Sequence, residues 1–171
     1  MTWLRSTYWL VLALTLAMFA VINLWSMPII RDSAGGLAPF DLRPLGYTTK
    51  EARAFLAALL EPGLEQYLGT QRRLDQIFPA LLALMLSWTC WRLFGVKYAI
   101  IFSGLAVVGA FFDYQENIAV LDLLKLGADG IDEEVVSIAS LFTILKFPPT
   151  LIVVLAIFGA LVARFWRRAK G

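Results

Sequence analysis

Residues 98–124 read YAIIFSGLAVVGAFFDYQENIAVLDLL. From Tyr98 to Phe112 no residue carries a charge, and then Asp113, Glu116 and Asn117 follow in quick succession. An apolar run of about 18 residues or more with few charges reads as a membrane span, because that length crosses a hydrocarbon core of roughly 30 Å as a helix. A helix also satisfies every backbone polar group internally, which lipid demands. The spacing i, i+3, i+4 puts Asp113, Glu116 and Asn117 on one helical face. This stretch therefore predicts an all-α membrane fold with a polar patch at one end of a span.

Working outward, three more apolar runs appear, and together they predict a four-transmembrane-helix bundle that makes up one membrane domain over residues 1–171. The spans are expected at about residues 8–30, 77–94, 98–124 and 148–165. The second carries Pro79 in its first turn, where a missing N–H costs little. The last run is apolar from residue 135 to 163, about 43 Å of helix, which exceeds the bilayer core. Pro148-Pro149 deprives Ile144 and Leu145 of helical N–H partners, so a break is expected there, leaving an outer helix over 133–147. Composition agrees with this class: 60% of residues are hydrophobic, 16% are charged and the mean hydropathy is +0.73. The N-terminal run is longer than a signal-peptide core and lacks a small-x-small cleavage context after it, so an uncleaved span is expected.

Lys and Arg set the orientation. Arg5, Arg92, Lys97, Arg164, Arg167, Arg168 and Lys170 all fall on one side of a four-span arrangement. The opposite side holds a first loop of mixed charge and an acidic third loop with Asp129, Asp132, Glu133 and Glu134. Both termini are expected in the cytoplasm, and the short loops suit a bacterial inner membrane. Trp3, Trp9, Trp25, Trp88, Trp91 and Trp166 fall at expected span ends, as an aromatic belt requires.

The first external loop, residues 31–74, is too long to be featureless. Thr48-Thr-Lys-Glu51 has the form of a capping box. Ala52, Phe55, Leu56, Leu59 and Leu60 then make one apolar face, with Pro62-Gly63 expected to stop the helix. A second helix from Leu64 is expected to run into the second span. These short amphipathic helices form an external cap, buried either on the bundle or in the headgroup zone. Asp129-Gly-Ile-Asp-Glu-Glu134 lacks the spaced ligands of a calcium loop and reads as a turn leading into a helix.

Depth follows from counting along each span at about 1.5 Å per residue from its cytoplasmic anchor. Asn23, Asp75, Asp113, Glu116 and Lys146 all come out about 24–28 Å from that side, at the outer edge of the hydrocarbon. Asp75, Asp113, Glu116, Asn117 and Lys146 are thus the candidate polar pocket or ion-pair cluster. Two carboxylates on one face need a cation, for which Lys146 is the first candidate and Arg72 or Arg73 the alternatives. Ionisable groups at this depth serve either a ligand or proton-handling site or a network that fixes helix order. Arg72 and Arg73 are candidate contacts for a lipid phosphate, or a generic outer anchor. Ser103-Gly104 and Gly109-Ala110 are small pairs suited to close helix contact.

Several functions are excluded. No histidine is present, which removes the commonest general base and metal ligand. Cys90 is the single cysteine, so no internal disulfide or dithiol redox motif exists. The net charge of +2, with no basic stripe, does not fit nucleic acid. No cofactor, metal or catalytic motif is evident. The size, four spans and outward acids are similar in outline to the lipoprotein signal peptidases, which would imply a pair of catalytic aspartates. Asp113 lies, however, in Phe-Phe-Asp-Tyr-Gln-Glu-Asn, and no Phe-Asn-x-Ala-Asp segment exists, so no site residue is carried over. The reading that remains is a binding or accessory protein for a membrane lipid, a small ligand, a membrane-protein partner or a second copy. The alternatives are an intramembrane carboxylate enzyme pairing Asp113 with Asp75 or Glu116, or an oligomeric ion- or proton-coupled transporter.

Overall fold

The computed structural model describes residues 2–170, with side chains from Arg5 onward, so the Trp3 side chain lies outside the described residues. The described residues are helical with no strand. Helix α1 covers residues 2–33, α2 is Thr49–Ala58, α3 is Glu61–Leu93, α4 is Val96–Gly130 and α5 is Glu133–Ala169. The four helices α1, α3, α4 and α5 are long and apolar enough to cross a membrane. Only 11–28% of their most apolar windows is buried within the chain, so most of that apolar surface faces outward. Leu10, Leu14, Val107, Ile152, Leu155 and Phe158 are among the exposed side chains.

Helix α4 packs against both α3 and α5, and α3 against α1, while α1 and α5 have little mutual contact. Small residues permit the closest approach. A Cβ at Gly109 of α4 would collide with Thr150 Oγ1 of α5. Gly104 has open space around it and makes no such close approach, whereas the Ser103 hydroxyl beside it is buried. At one end of the bundle Arg164 donates to the Leu93 carbonyl at 2.8 Å, and the Arg92 guanidinium lies 4.2 Å from the Tyr8 ring centre. Arg92 and Arg164 thus meet at the end opposite the loop cap.

Four helix boundaries differ from the sequence expectation. The helix after the capping box ends at Ala58, and Pro62 sits in the first turn of α3, where its missing N–H costs nothing. Pro79 is therefore interior to a helix that begins at Glu61, where it leaves the Asp75 carbonyl without its helical N–H. Asn117 Nδ2 of α4 donates to that carbonyl at 3.1 Å, and Tyr114 donates to the next one, Gln76 O, at 3.0 Å. The break expected at Pro148-Pro149 is absent: α5 continues from Glu133 to Ala169. Thr143, Pro149 and Val153 are buried on one face running across the prolines, and this packing holds the helix on both sides of them. Helix α4 runs past the expected end at 124 and bends at Gly127, where φ is +68°.

The cap packs on the bundle. Thr48 Oγ1 accepts from Glu51 N–H and the Glu51 carboxylate accepts from Thr48 N–H, completing the capping box of α2. Ala52 and Phe55 are fully buried, Leu56 and Leu59 partly, while Leu60 is exposed. Phe55 joins Phe40 and Tyr47, with the Arg43 guanidinium under 6 Å from all three rings. Gly46 adopts φ +79°, and a Cβ there would lie 2.6 Å from Ser140 Oγ and 2.8 Å from Ile144. The next residue, Tyr47, donates its N–H to Ser140 Oγ at 2.8 Å. A residue with a side chain fits neither the dihedral nor the space, so this contact fixes the loop on α5.

Candidate functional site

Lys146 projects from α5 towards α4, and its ammonium is the centre of the polar cluster. Its Nζ contacts Glu116 Oε2 directly, lies 3.5 Å from Asp113 Oδ1 and 4.0 Å from Asp41 Oδ1. The four side chains are poorly exposed: 13% for Lys146, 0% for Glu116, 10% for Asp41 and 23% for Asp113. Asp75 of α3 borders the same group, and Gln71 Nε2 donates to its Oδ1 at 2.7 Å. Four carboxyl groups, Asp41, Asp75, Asp113 and Glu116, therefore surround one lysine.

Asp41 is the member that the sequence did not single out. It lies in a single 3-10 turn, Phe40–Leu42, between Pro39 and Pro44. Arg43 donates to the Ala38 carbonyl at 2.7 and 2.9 Å, and Phe40 is fully buried, so the turn is held and its aspartate points down onto Lys146. Tyr67 of α3 donates to Asp41 Oδ2 from the other side. The one available sequence signal was an aspartate flanked by apolar residues between two prolines, inside a segment otherwise resembling a solvated loop.

Two widened turns shape the surrounding wall. Residues Ile22–Ser26 of α1 and Tyr67–Gln71 of α3 are π-helical, with Met27 N–H bonding to Ile22 O and Arg72 N–H to Tyr67 O. Such insertions recur at functional sites because they re-aim side chains. Here they face one another: Gln66 Nε2 donates to the buried Ser26 Oγ at 2.8 Å. The α3 insertion directs Tyr67 and Gln71 inward, 4% and 0% exposed. Gln71 Oε1 has no hydrogen-bond partner among the described residues.

Between the helices lies a cavity of about 580 Å³. Asp41, Gln71, Asp75, Asp113, Lys146 and Thr150 line its polar end. Leu16 and Phe19 of α1, Leu82 and Leu86 of α3 and Ala106 and Ala110 of α4 continue it along an apolar wall. Asn23 borders it too, but its amide donates to the Phe19 carbonyl at 2.9 Å. A smaller cavity of about 150 Å³ shares Asp41 and Asp75 and extends between α3 and α4 to Arg72 and Asn117.

The other sequence candidates fall outside the cluster. The Asn117 amide is occupied by the carbonyl that Pro79 orphans, which gives it a structural task. Arg72 and Arg73 are exposed and make no ion pair among the described residues, so neither supplies the cluster's cation. On the cap, burial pushes the Tyr47 phenol above its ordinary range, while hydrogen bonds from Thr48 hold the Glu51 carboxyl below its own. No protein-family model, no curated protein and no solved structure matches the chain.

Proposed function

We propose that this chain is a multi-pass protein of a bacterial inner membrane, with both termini cytoplasmic, that binds an amphipathic membrane ligand in the space between its four long helices. The reading rests chiefly on the cavity of about 580 Å³, charged at one end and apolar along the rest. An amphiphile has the same division: a polar head fits against Lys146 and its carboxylates, and a chain fits along Leu16, Phe19, Leu82 and Leu86. Pockets between helices of a bundle are a common place for ligands. The exposed apolar flanks of the long helices support insertion, since such surface is untenable in water. Arg5, Arg92, Lys97, Arg164, Arg167, Arg168 and Lys170, with no acidic residue among them, and the mixed charge of the cap side support the orientation.

The experiment is native mass spectrometry of protein released from its own membranes, compared with the Ala110→Phe variant. Ala110 lines the cavity without being fully buried, so phenylalanine fills the apolar part. A retained amphiphile is expected on the wild type and not on the variant. A wild type that arrives bare from several membrane sources, or an adduct unaffected by the substitution, removes the proposal.

A carboxylate-pair enzyme is the second reading, favoured by Asp75 and Asp113 facing one cavity from different helices. Two such groups sharing a proton could serve as acid and base. Conversion of the bound amphiphile by the wild type but not by Asp113→Asn distinguishes catalysis from binding.

A further inference from the structure

The groups that face the cavity also specify what kind of head it accepts. Lys146 is the one cation among the described residues that line this cavity, and it is already engaged by Glu116, which is fully buried and away from the cavity lining. What remains exposed to an occupant is the set Asp41, Asp75 and Asp113, from three separate parts of the fold. Beside them Gln71 is fully buried, lines the cavity, and has a carbonyl oxygen without a donor. The orientation of its amide is set by the other end, because Nε2 donates to the Asp75 carboxylate at 2.7 Å. The polar end thus presents carboxyl and amide oxygens, three carboxyls against one engaged lysine, and no free cationic donor among the residues that line it.

We infer that the cavity is selective for a single-chain amphiphile with a protonated amine head, seated among Asp41, Asp75, Asp113 and Gln71 Oε1. This rests on the binding function proposed above and deepens it. An alkylammonium carries three donors and no acceptor, which complements a site rich in acceptors. Its charge offsets the surplus of carboxyls over cations, where low dielectric makes an uncompensated surplus costly. A phosphate or carboxylate head meets three carboxyls and finds its only counter-ion occupied. A hydroxyl head satisfies Gln71 but brings no cation to the carboxyls. The route inwards is sideways, since α1 and α5 line the cavity from either side with little contact between them.

The test is a competition in nanodiscs of uncharged lipid, with dodecylamine, dodecanol and dodecanoate at equal concentration and the retained adduct read by mass. Wild-type protein is expected to retain the amine at least tenfold over the other two. Gln71→Leu and Asp113→Asn, assayed separately after each is checked for a wild-type circular dichroism spectrum, should each reduce that ratio severalfold. Ala110→Phe should remove all three adducts together. Equal retention of the alcohol, or preference for the carboxylate, overturns the head-group assignment while leaving amphiphile binding intact. An amine preference that survives both polar substitutions also overturns it, because the selectivity would then lie elsewhere. No adduct of any kind on the wild type sinks both this inference and the function it rests on. The wild-type competition decides the matter even where a variant fails to fold.

Discussion

Replacing Lys146 by methionine removes the only cation from the buried cluster and leaves its hydrocarbon volume nearly unchanged. The ammonium contacts Glu116 and lies 3.5 and 4.0 Å from Asp113 and Asp41. At an effective dielectric near 20, each unit pair at such distances gives about 4–5 kcal/mol of attraction. Desolvation of the lysine offsets much of that sum, but the loss is asymmetric, because Glu116 is fully buried and water does not replace its partner. Breaking a buried pair from one side costs roughly 3–5 kcal/mol, and that is the expected destabilisation of Lys146→Met. Glu116→Gln leaves Lys146 with Asp113 and Asp41, so its cost should be smaller, about 1–3 kcal/mol. The double variant removes both charges of the closest pair. It should be milder than the sum of the single changes by about 1–3 kcal/mol, the coupling expected between residues in contact. Unfolding in bicelles by titration with sodium dodecyl sulfate measures all four proteins. Additivity within about 0.5 kcal/mol would show that the two residues act independently, contrary to the geometry.

Gly46→Ala combines an unfavourable dihedral with a collision against Ser140 and Ile144, so it should cost about 1–3 kcal/mol and expose residues 34–60 to limited proteolysis while the long helices stay protected. The capping box gives a pH dependence whose sign is fixed. Glu51 is held below its ordinary value by the Thr48 hydrogen bonds, so its stabilisation is present above pH 4.5, the unfolded value, and is lost as pH falls through the lower folded value. Amide exchange in α2 should therefore accelerate relative to α4 on acidification in the wild type, and much less in Thr48→Ala; equal behaviour in both would refute the assignment. Gly109→Ala forces Thr150 to give up its hydrogen bond to the Lys146 carbonyl, 3.1 Å long, and should cost about 1–2 kcal/mol. Adding Thr150→Ala should restore part of that stability in the same detergent titration, and a further loss would contradict the close contact.

The four long helices were legible because length and hydrophobicity act locally. A run such as 98–112 needs no knowledge of its neighbours to be recognised. Helix ends depend on tertiary partners, and there the sequence misleads. Pro79 reads as a start and Pro148-Pro149 as a break when a helix is considered alone. In the folded chain Asn117 supplies a donor to the carbonyl that Pro79 orphans, and buried packing carries α5 across its prolines. Asn117 was singled out for sharing a face with Asp113 and Glu116, which it does. Its partner is a backbone atom on α3, which periodicity does not reveal.

The same distinction governs the site. Asp75, Asp113, Glu116 and Lys146 stand out because an ionisable group within an apolar run is costly wherever it occurs. Asp41 belongs to a loop, where an aspartate is ordinary, and its importance comes from the path of the chain above the bundle. That path is set by Gly46 against Ser140, Tyr47 N–H on the same hydroxyl, and Phe40 buried among Tyr47 and Phe55. None of these residues lines the cavity, yet each holds Asp41 over Lys146. The charge at the polar end is therefore a joint property of the spans and the cap: lifting the loop withdraws one carboxylate, frees Tyr67 OH, and uncovers the remaining acids. Binding a cationic head and ordering the cap should accordingly reinforce one another, since each supplies a charge that the other's arrangement needs.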